Sequence, residues 1–251
     1  METAALLPGE HFEPLSPALE VIVSRQHCFN TDTILLAWFS APKHKDICCD
    51  FGTGCGTIPL LWEARYQPRR TYAIEIQDDA FSMASRSVCH NRLEETITVL
   101  HGDLRAVCQS KEPPFCEGLD LIACNPPYKE KGSGLVNPDA AKAIARHEQT
   151  CTLEEICAAA AKALRYGGRF CLCQRPQRLA EIMTILSQAG LEPKRLQLVQ
   201  QKTSKAPSLF LVEAKKGSRP GLIVEPVLCI EDDSGDFSPA MQKIYGSYKY
   251  K

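Results

Sequence analysis

The sequence has no surplus of either charge: 29 lysines and arginines stand against 30 aspartates and glutamates, for a formal net charge of -1. That argues against a global basic field, so a nucleic-acid partner has to be met by a local patch. No apolar run comes near the ~20 residues that a membrane helix requires. Residues 1–10 carry acid where a secretory leader would carry base. These absences predict a cytoplasmic protein with no membrane partner. The 13 cysteines include no pair of CxxC motifs and no Cys/His ligand spacing, so no metal is expected. Scattered through apolar runs, they read as reduced core thiols, Cys171 and Cys173 among them. Repeats and low-complexity segments are also missing. A chain of 251 residues, 44% hydrophobic, suits one α/β domain with small additions.

What is present is an alternation. Strand-like stretches at residues 46–51, 71–76, 97–101, 119–124 and 169–174 are separated by helical ones near 57–64, 79–92 and 153–164. This order predicts right-handed βαβ crossovers and a largely parallel sheet. Gly167-Gly168 reads as the stop of the last of those helices. A further amphipathic helix over 179–188 precedes strands at 195–199 and 209–214, which are expected to pair antiparallel. Ahead of the alternation, residues 1–18 read as a loose arm and 19–23 as a strand or half a hairpin. Thr31 or Asp32 is expected to cap a helix that Pro42 ends. Behind it, 222–230 reads as one strand before the acidic cluster Glu231, Asp232 and Asp233.

Two motifs carry chemistry. Asn125-Pro126-Pro127-Tyr128 follows a strand directly, and its prolines lack N–H donors and fix φ, so the strand ends in a stiff turn. Alone it is a proline turn. As a platform, the Asn125 side chain and the Pro126 carbonyl offer adjacent acceptors for a planar NH2 group, and Tyr128 offers a face for the attached ring. About seventy residues upstream, Asp50-Phe51-Gly52-Thr53-Gly54-Cys55-Gly56 forms a strand-to-helix turn that lets a ligand approach the backbone closely. Thr57 takes the third-glycine place of the dinucleotide pattern, and Asp50 suits a ligand bearing a positive amine rather than a pyrophosphate. Glu75 ends the next strand, where an acid can take both ribose hydroxyls or simply be solvated. Asp103 is the matching candidate for an adenine amino group, or part of a turn.

Together, these residues resemble the class I S-adenosylmethionine-dependent methyltransferases that act on amino groups. More narrowly, Phe29-Asn30-Thr31-Asp32-Thr33-Ile34-Leu35-Leu36-Ala37, Ala145-Arg146-His147-Glu148, Gly167-Gly168-Arg169 and Leu191-Glu192-Pro193-Lys194-Arg195 are similar to the tRNA adenine-N6 methyltransferase family. Members of that family act on the adenine beside the anticodon of a valine tRNA. The resemblance implies a Rossmann-like fold: a mostly parallel seven-stranded sheet with an antiparallel C-terminal hairpin and helices on both faces. It implies an arm and lead-in helix at 1–45, the methyltransferase domain at 46–216, and a C-terminal extension at 217–251 packed on the same domain.

It further implies S-adenosyl-L-methionine as cofactor, held by Asp50, Gly52, Thr53, Gly54, Gly56, Glu75, Ile76, Asp103, Leu104 and Asn125. Asn125, Pro126 and Tyr128 would form the catalytic platform. Pro127, Phe29, Asp32, Lys129, Arg146, Lys202 and Lys205 would meet tRNA. Lys129 stands where an aromatic is expected after the tyrosine. Phe29 reads equally as a wall of the target-base pocket or as core, and Asp32 as a cofactor contact or a cap. The segment 129–140 reads as a lid, with His147 and Glu148 either linked to it or merely starting a helix. Clusters at Lys194, Arg195, Lys202 and Lys205, then Lys215, Lys216 and Arg219, are candidate phosphate contacts or solvated faces. A protein glutamine methyltransferase fits the same platform, but the short stretch ahead of the first helix favours RNA. A noncatalytic RNA-binding module is the remaining alternative. The expected assembly is a monomer or homodimer.

Overall fold

The computed structural model describes residues 5–110, 114–126 and 151–246. Its centre is a sheet whose inner strands are β3 (Ile47–Phe51), β4 (Arg70–Glu75) and β6 (Leu119–Cys124): β3 and β6 are near-continuous apolar runs, as parallel strands covered on both faces must be, and β4 is buried over most of its length. With β5 (Ile97–His101), β7 (Leu164–Gln174), β8 (Leu191–Gln200) and β9 (Leu209–Lys216), the spatial order is β5-β4-β3-β6-β7-β9-β8. The strands β3 to β7 are parallel, and β9 alone runs antiparallel between β7 and β8. The chain winds outward from β3 to β5, then crosses to β6 on the other side of β3. That reversal opens a crevice above the carboxyl ends of β3 and β6.

Helices cover both faces. On one side lie α1 (Thr31–Ser40), α2 (Thr57–Tyr66) and α3 (Asp78–His90), with Trp62 wholly buried and its Nε1 donating to Ala37 O at 3.2 Å and Ser40 Oγ at 3.0 Å. On the other lie α5 (Leu153–Ala163) and α6 (Leu179–Gln188), packing Ile156, Ala160, Ile182 and Leu186 against Phe170 and Leu172. The short α4 (Leu104–Val107) follows β5. A capping box between Thr152 and Glu155 starts α5.

Several expectations are corrected. The cap of α1 is Asn30, whose side chain accepts from the Thr33 amide, rather than Thr31 or Asp32. Residues 1–18 include a strand: β1 (Glu10–Pro14) pairs antiparallel with β2 (Glu20–Ser24), and the hairpin is pinned to α3 by Arg86, which meets Glu10 at 2.6 Å. Gly167-Gly168 lies within β7 instead of ending α5; a Cβ on Gly168 would stand 2.8 Å from Leu119 O, so only glycine lets these strands close. The run 222–230 is broken at Pro226 into β10 (Ile223–Val224) and β11 (Leu228–Cys229), both parallel to β8, which extends the seven-stranded sheet to nine. The final α7 (Pro239–Tyr245) returns to α1, where the Tyr245 and Thr31 hydroxyls lie 3.2 Å apart. No helix among the described residues is long and apolar enough to cross a membrane.

Candidate active site

The crevice holds a cavity of about 280 Å³. Its floor is the turn after β3. Gly52 and Gly54 adopt φ of +69° and +57°, and a Cβ on either would meet nothing within 4 Å. They line the cavity as bare backbone. Glu75, at the end of β4, is 1% exposed yet also on the wall. Its Oε2 accepts from Gly54 N at 2.8 Å, and its Oε1 from the Ile76 and Gln77 amides at 2.9 Å each. One carboxylate thus fastens the glycine turn to the next loop.

Asp50 lies beneath this floor. Its Oδ2 is sealed from water without a hydrogen bond, as is the Thr53 hydroxyl. Burial pushes the Asp50 carboxyl up to about 7, Glu75 adds to the rise, and the Thr53 hydroxyl beside it works against it without reaching hydrogen-bond geometry. On the far side Asp103 caps α4, accepting from Arg105 N at 2.8 Å, and the Arg105 guanidinium at 2.6 Å holds its carboxyl below the usual range. Asn125 and Pro126 close the wall at the end of β6. The Asn125 Nδ2 donates to Thr33 Oγ1 at 3.1 Å and its Oδ1 accepts from Cys173 Sγ at 3.1 Å.

The pattern of the methyltransferase small domain matches residues 20–189. A tRNA1(Val) (adenine(37)-N6)-methyltransferase of Porphyromonas gingivalis is 32% identical over 191 residues, covering 73% of this chain and 72% of that one. Another of the same name from Tolumonas auensis is 29% identical over 214 residues, 83% and 84% of the two chains. The chain belongs to the tRNA adenine-N6 methyltransferase family. Among solved structures, a predicted O-methyltransferase from Agrobacterium tumefaciens superposes with a TM-score of 0.65 at 22% identity over 86% of this chain and 95% of its own, a likeness of fold.

As a methyltransferase the chain calls for S-adenosylmethionine, and its residues fit it. The glycine turn leaves open space for a ligand, Glu75 presents an anchored carboxylate, and the orphaned Asp50 oxygen marks a polar demand that the chain alone leaves unmet. Of the residues expected from sequence, Gly52, Gly54, Glu75, Ile76, Asp103, Leu104, Asn125 and Pro126 converge on the cavity. Asp50, Thr53 and Gly56 support its floor from behind: Asp50 and Thr53 are buried, and a Cβ on Gly56 would stand 3.3 Å from Ala84 Cβ.

Phe29 and Asp32 are off the wall. Phe29 packs on the hydrophobic core, and Asp32 faces Arg175 at 3.9 Å. Lys202, paired with Glu231 at 3.2 Å, and exposed Lys205 sit in the loop between β8 and β9, on the same edge as the cavity. Arg195, expected in the same cluster, and the second cluster do not join them. Arg195 stacks on Phe39 at 4.0 Å near the start of β8, and Lys215 and Lys216 end the antiparallel β9, so these lie at the opposite edge. Pro127, Tyr128, Lys129, Arg146, His147, Glu148 and the lid segment 129–140 lie outside the described residues.

Sequence reasoning missed the wall supplied by Gln26, His27 and Cys28, which follow the β1–β2 hairpin, and by Gln77, Cys151 and Ile156. Four wall residues are thiols: Cys28 is exposed, while burial pushes Cys55 and Cys151 up to about 11 and Cys124 well above its usual value. Among the described residues no group of three or more His, Cys, Asp or Glu is arranged to hold a metal.

Proposed function

We propose that this methyltransferase modifies N6 of an adenine in tRNA, the adenine beside the anticodon of a valine tRNA. The observation that carries the reading is the meeting, across one crevice, of the glycine turn after β3 and the Asn125-Pro126 acceptor pair after β6. S-adenosylmethionine supplies a methyl group already activated on a sulfonium, so the chain's task is alignment. Glu75 takes the ribose hydroxyls, Asp103 the cofactor's adenine amino group, and Asp50 with Gly52, Thr53, Gly54 and Gly56 forms the bed. Ile76 and Leu104 flank the adenine.

The exocyclic nitrogen of the target is a weak nucleophile because its lone pair is delocalised into the ring. Asn125 Oδ1 and the Pro126 carbonyl accept its two N–H groups and stabilise the positive charge that develops there. Tyr128 and Pro127 hold the base, which enters from a loop or flipped from its stack. Lys129, Arg146, Lys202 and Lys205 contact phosphates. Residues 46–216 carry this chemistry, with the described parts of 1–45 and 217–251 packed on them. The protein works in the cytoplasm as a monomer or homodimer.

The test is transfer of labelled methyl from S-adenosylmethionine to two pools, unmodified tRNA and soluble protein, followed by digestion of the RNA to nucleosides. Label in N6-methyladenosine is expected. Label in protein glutamine would keep the platform and overturn the substrate, and label in neither pool would refute the reading.

A further inference from the structure

The platform is tied to the start of α1 by a directed chain of hydrogen bonds. Asn125 Nδ2 donates to Thr33 Oγ1 at 3.1 Å, and Thr33 Oγ1 donates in turn to Asn30 Oδ1 at 3.3 Å. The same Asn30 oxygen accepts the Thr33 backbone N–H at 3.2 Å, the bond that caps the helix. From the opposite side Cys173 Sγ, buried in β7, donates to Asn125 Oδ1 at 3.1 Å.

A hydroxyl has one proton to give. With the Thr33 proton committed to the cap oxygen, Thr33 meets Asn125 as an acceptor, and the amide nitrogen of Asn125 has to face α1. The carbonyl oxygen is thereby turned to the Cys173 side. We propose that Thr33, with Cys173 opposite it, is a positioning residue that fixes which end of the Asn125 carboxamide is offered to the target amine. The inference rests on the reading that Asn125 accepts from an amino group. A carboxamide turned over would set NH2 against NH2, a donor facing a donor, and the charge developing on the target nitrogen would lose its acceptor. A helix cap, needed in any case to start α1, is used a second time to orient the reacting site.

The test compares Thr33→Val, which removes the hydroxyl and keeps the capping N–H, with Thr33→Ser, which keeps both. In the full chain labelled with 15N-asparagine, without cofactor or RNA, the Asn125 side-chain amide is assigned through Asn125→Ala. Thr33→Val is expected to shift both its proton resonances and to speed their exchange with water about tenfold or more; Thr33→Ser is expected to keep them close to wild type. In parallel, kcat for methyl transfer to unmodified tRNA is expected to fall about 10- to 100-fold in Thr33→Val, with the KM for S-adenosylmethionine within about twofold, and to return in Thr33→Ser. Asn125 amide resonances that stay in place in Thr33→Val would overturn the proposal. So would a matching loss of kcat in Thr33→Ser. Should the unaltered protein methylate no adenine, the substrate reading fails, and the amide resonances still decide whether Thr33 orients Asn125.

Discussion

At the amino edge of the sheet, Arg169 and Arg195 share the Glu213 carboxylate at 3.1 Å each, and Arg169 also reaches Asp46 at 3.3 Å. The same guanidinium groups donate to Ser40 O at 2.8 Å and Phe39 O at 2.6 Å, covering the last carbonyls of α1. At the carboxyl edge, Asp50 and Thr53 are more deeply buried, and Asp50 Oδ2 and the Thr53 hydroxyl meet no hydrogen bond. Both edges bury charge. Where the charges answer one another the arrangement is complete as folded; behind the cavity floor a carboxyl that burial raises to about 7 has an oxygen that no protein group answers. Helix α1 joins the two, with its cap at the platform and its last turn under the arginines.

The sharpest break in that contrast is expected from Asn125→Ala, which should lower kcat for methyl transfer by about 10²–10³-fold while leaving S-adenosylmethionine affinity within a few-fold by calorimetry. Arg169→Met acts on the other edge. It leaves Glu213 to Arg195 alone and Asp46 without its ion pair, and is expected to cost about 3 kcal/mol in denaturant unfolding with little change in cofactor affinity of the folded protein. Glu75→Gln keeps the shape and removes the charge, and a roughly tenfold weaker cofactor Kd is expected.

Asp50→Asn turns the contrast into a pH dependence. A carboxyl raised from 3.8 to about 7 in the folded state costs nothing below pH 4, where both states hold the proton. Stability then falls as pH rises towards 7, because only the folded state keeps the proton, and the cost is complete above it. The Tm of Asp50→Asn should therefore match that of the unaltered protein at pH 3 and exceed it by about 4 °C or more at pH 8. The smallest effect is expected from Lys202→Glu with Lys205→Glu: RNA binding weakened a few-fold at low salt with a shallower salt dependence, and cofactor binding unchanged.

Most of the sheet was legible because apolar runs and glycines occur at βαβ spacing, and the cavity floor because Gly52, Gly54 and Glu75 are close in sequence. What failed was decided by partners distant in the chain. Three oxygen-bearing residues in a row, Asn30 to Asp32, all suit a cap, and where α1 begins selects the first of them. Lys215 and Lys202 look like neighbours in a basic region, but β9 runs against the other strands and carries Lys215 to the far edge. Gln26 to Cys28 bear no motif, and only the docking of the hairpin on α3 brings them over the cavity.

The thiols on the cavity wall have a practical consequence. Cys28 stands exposed at the rim, whereas Cys55 and Cys124 are buried behind it. A mild alkylating reagent followed by peptide mass spectrometry thus offers a label-free occupancy gauge: the rate of Cys28 modification, referenced to exposed Cys89 and Cys116 elsewhere on the surface, reads how often the pocket is filled in a cell extract without any assay of methylation.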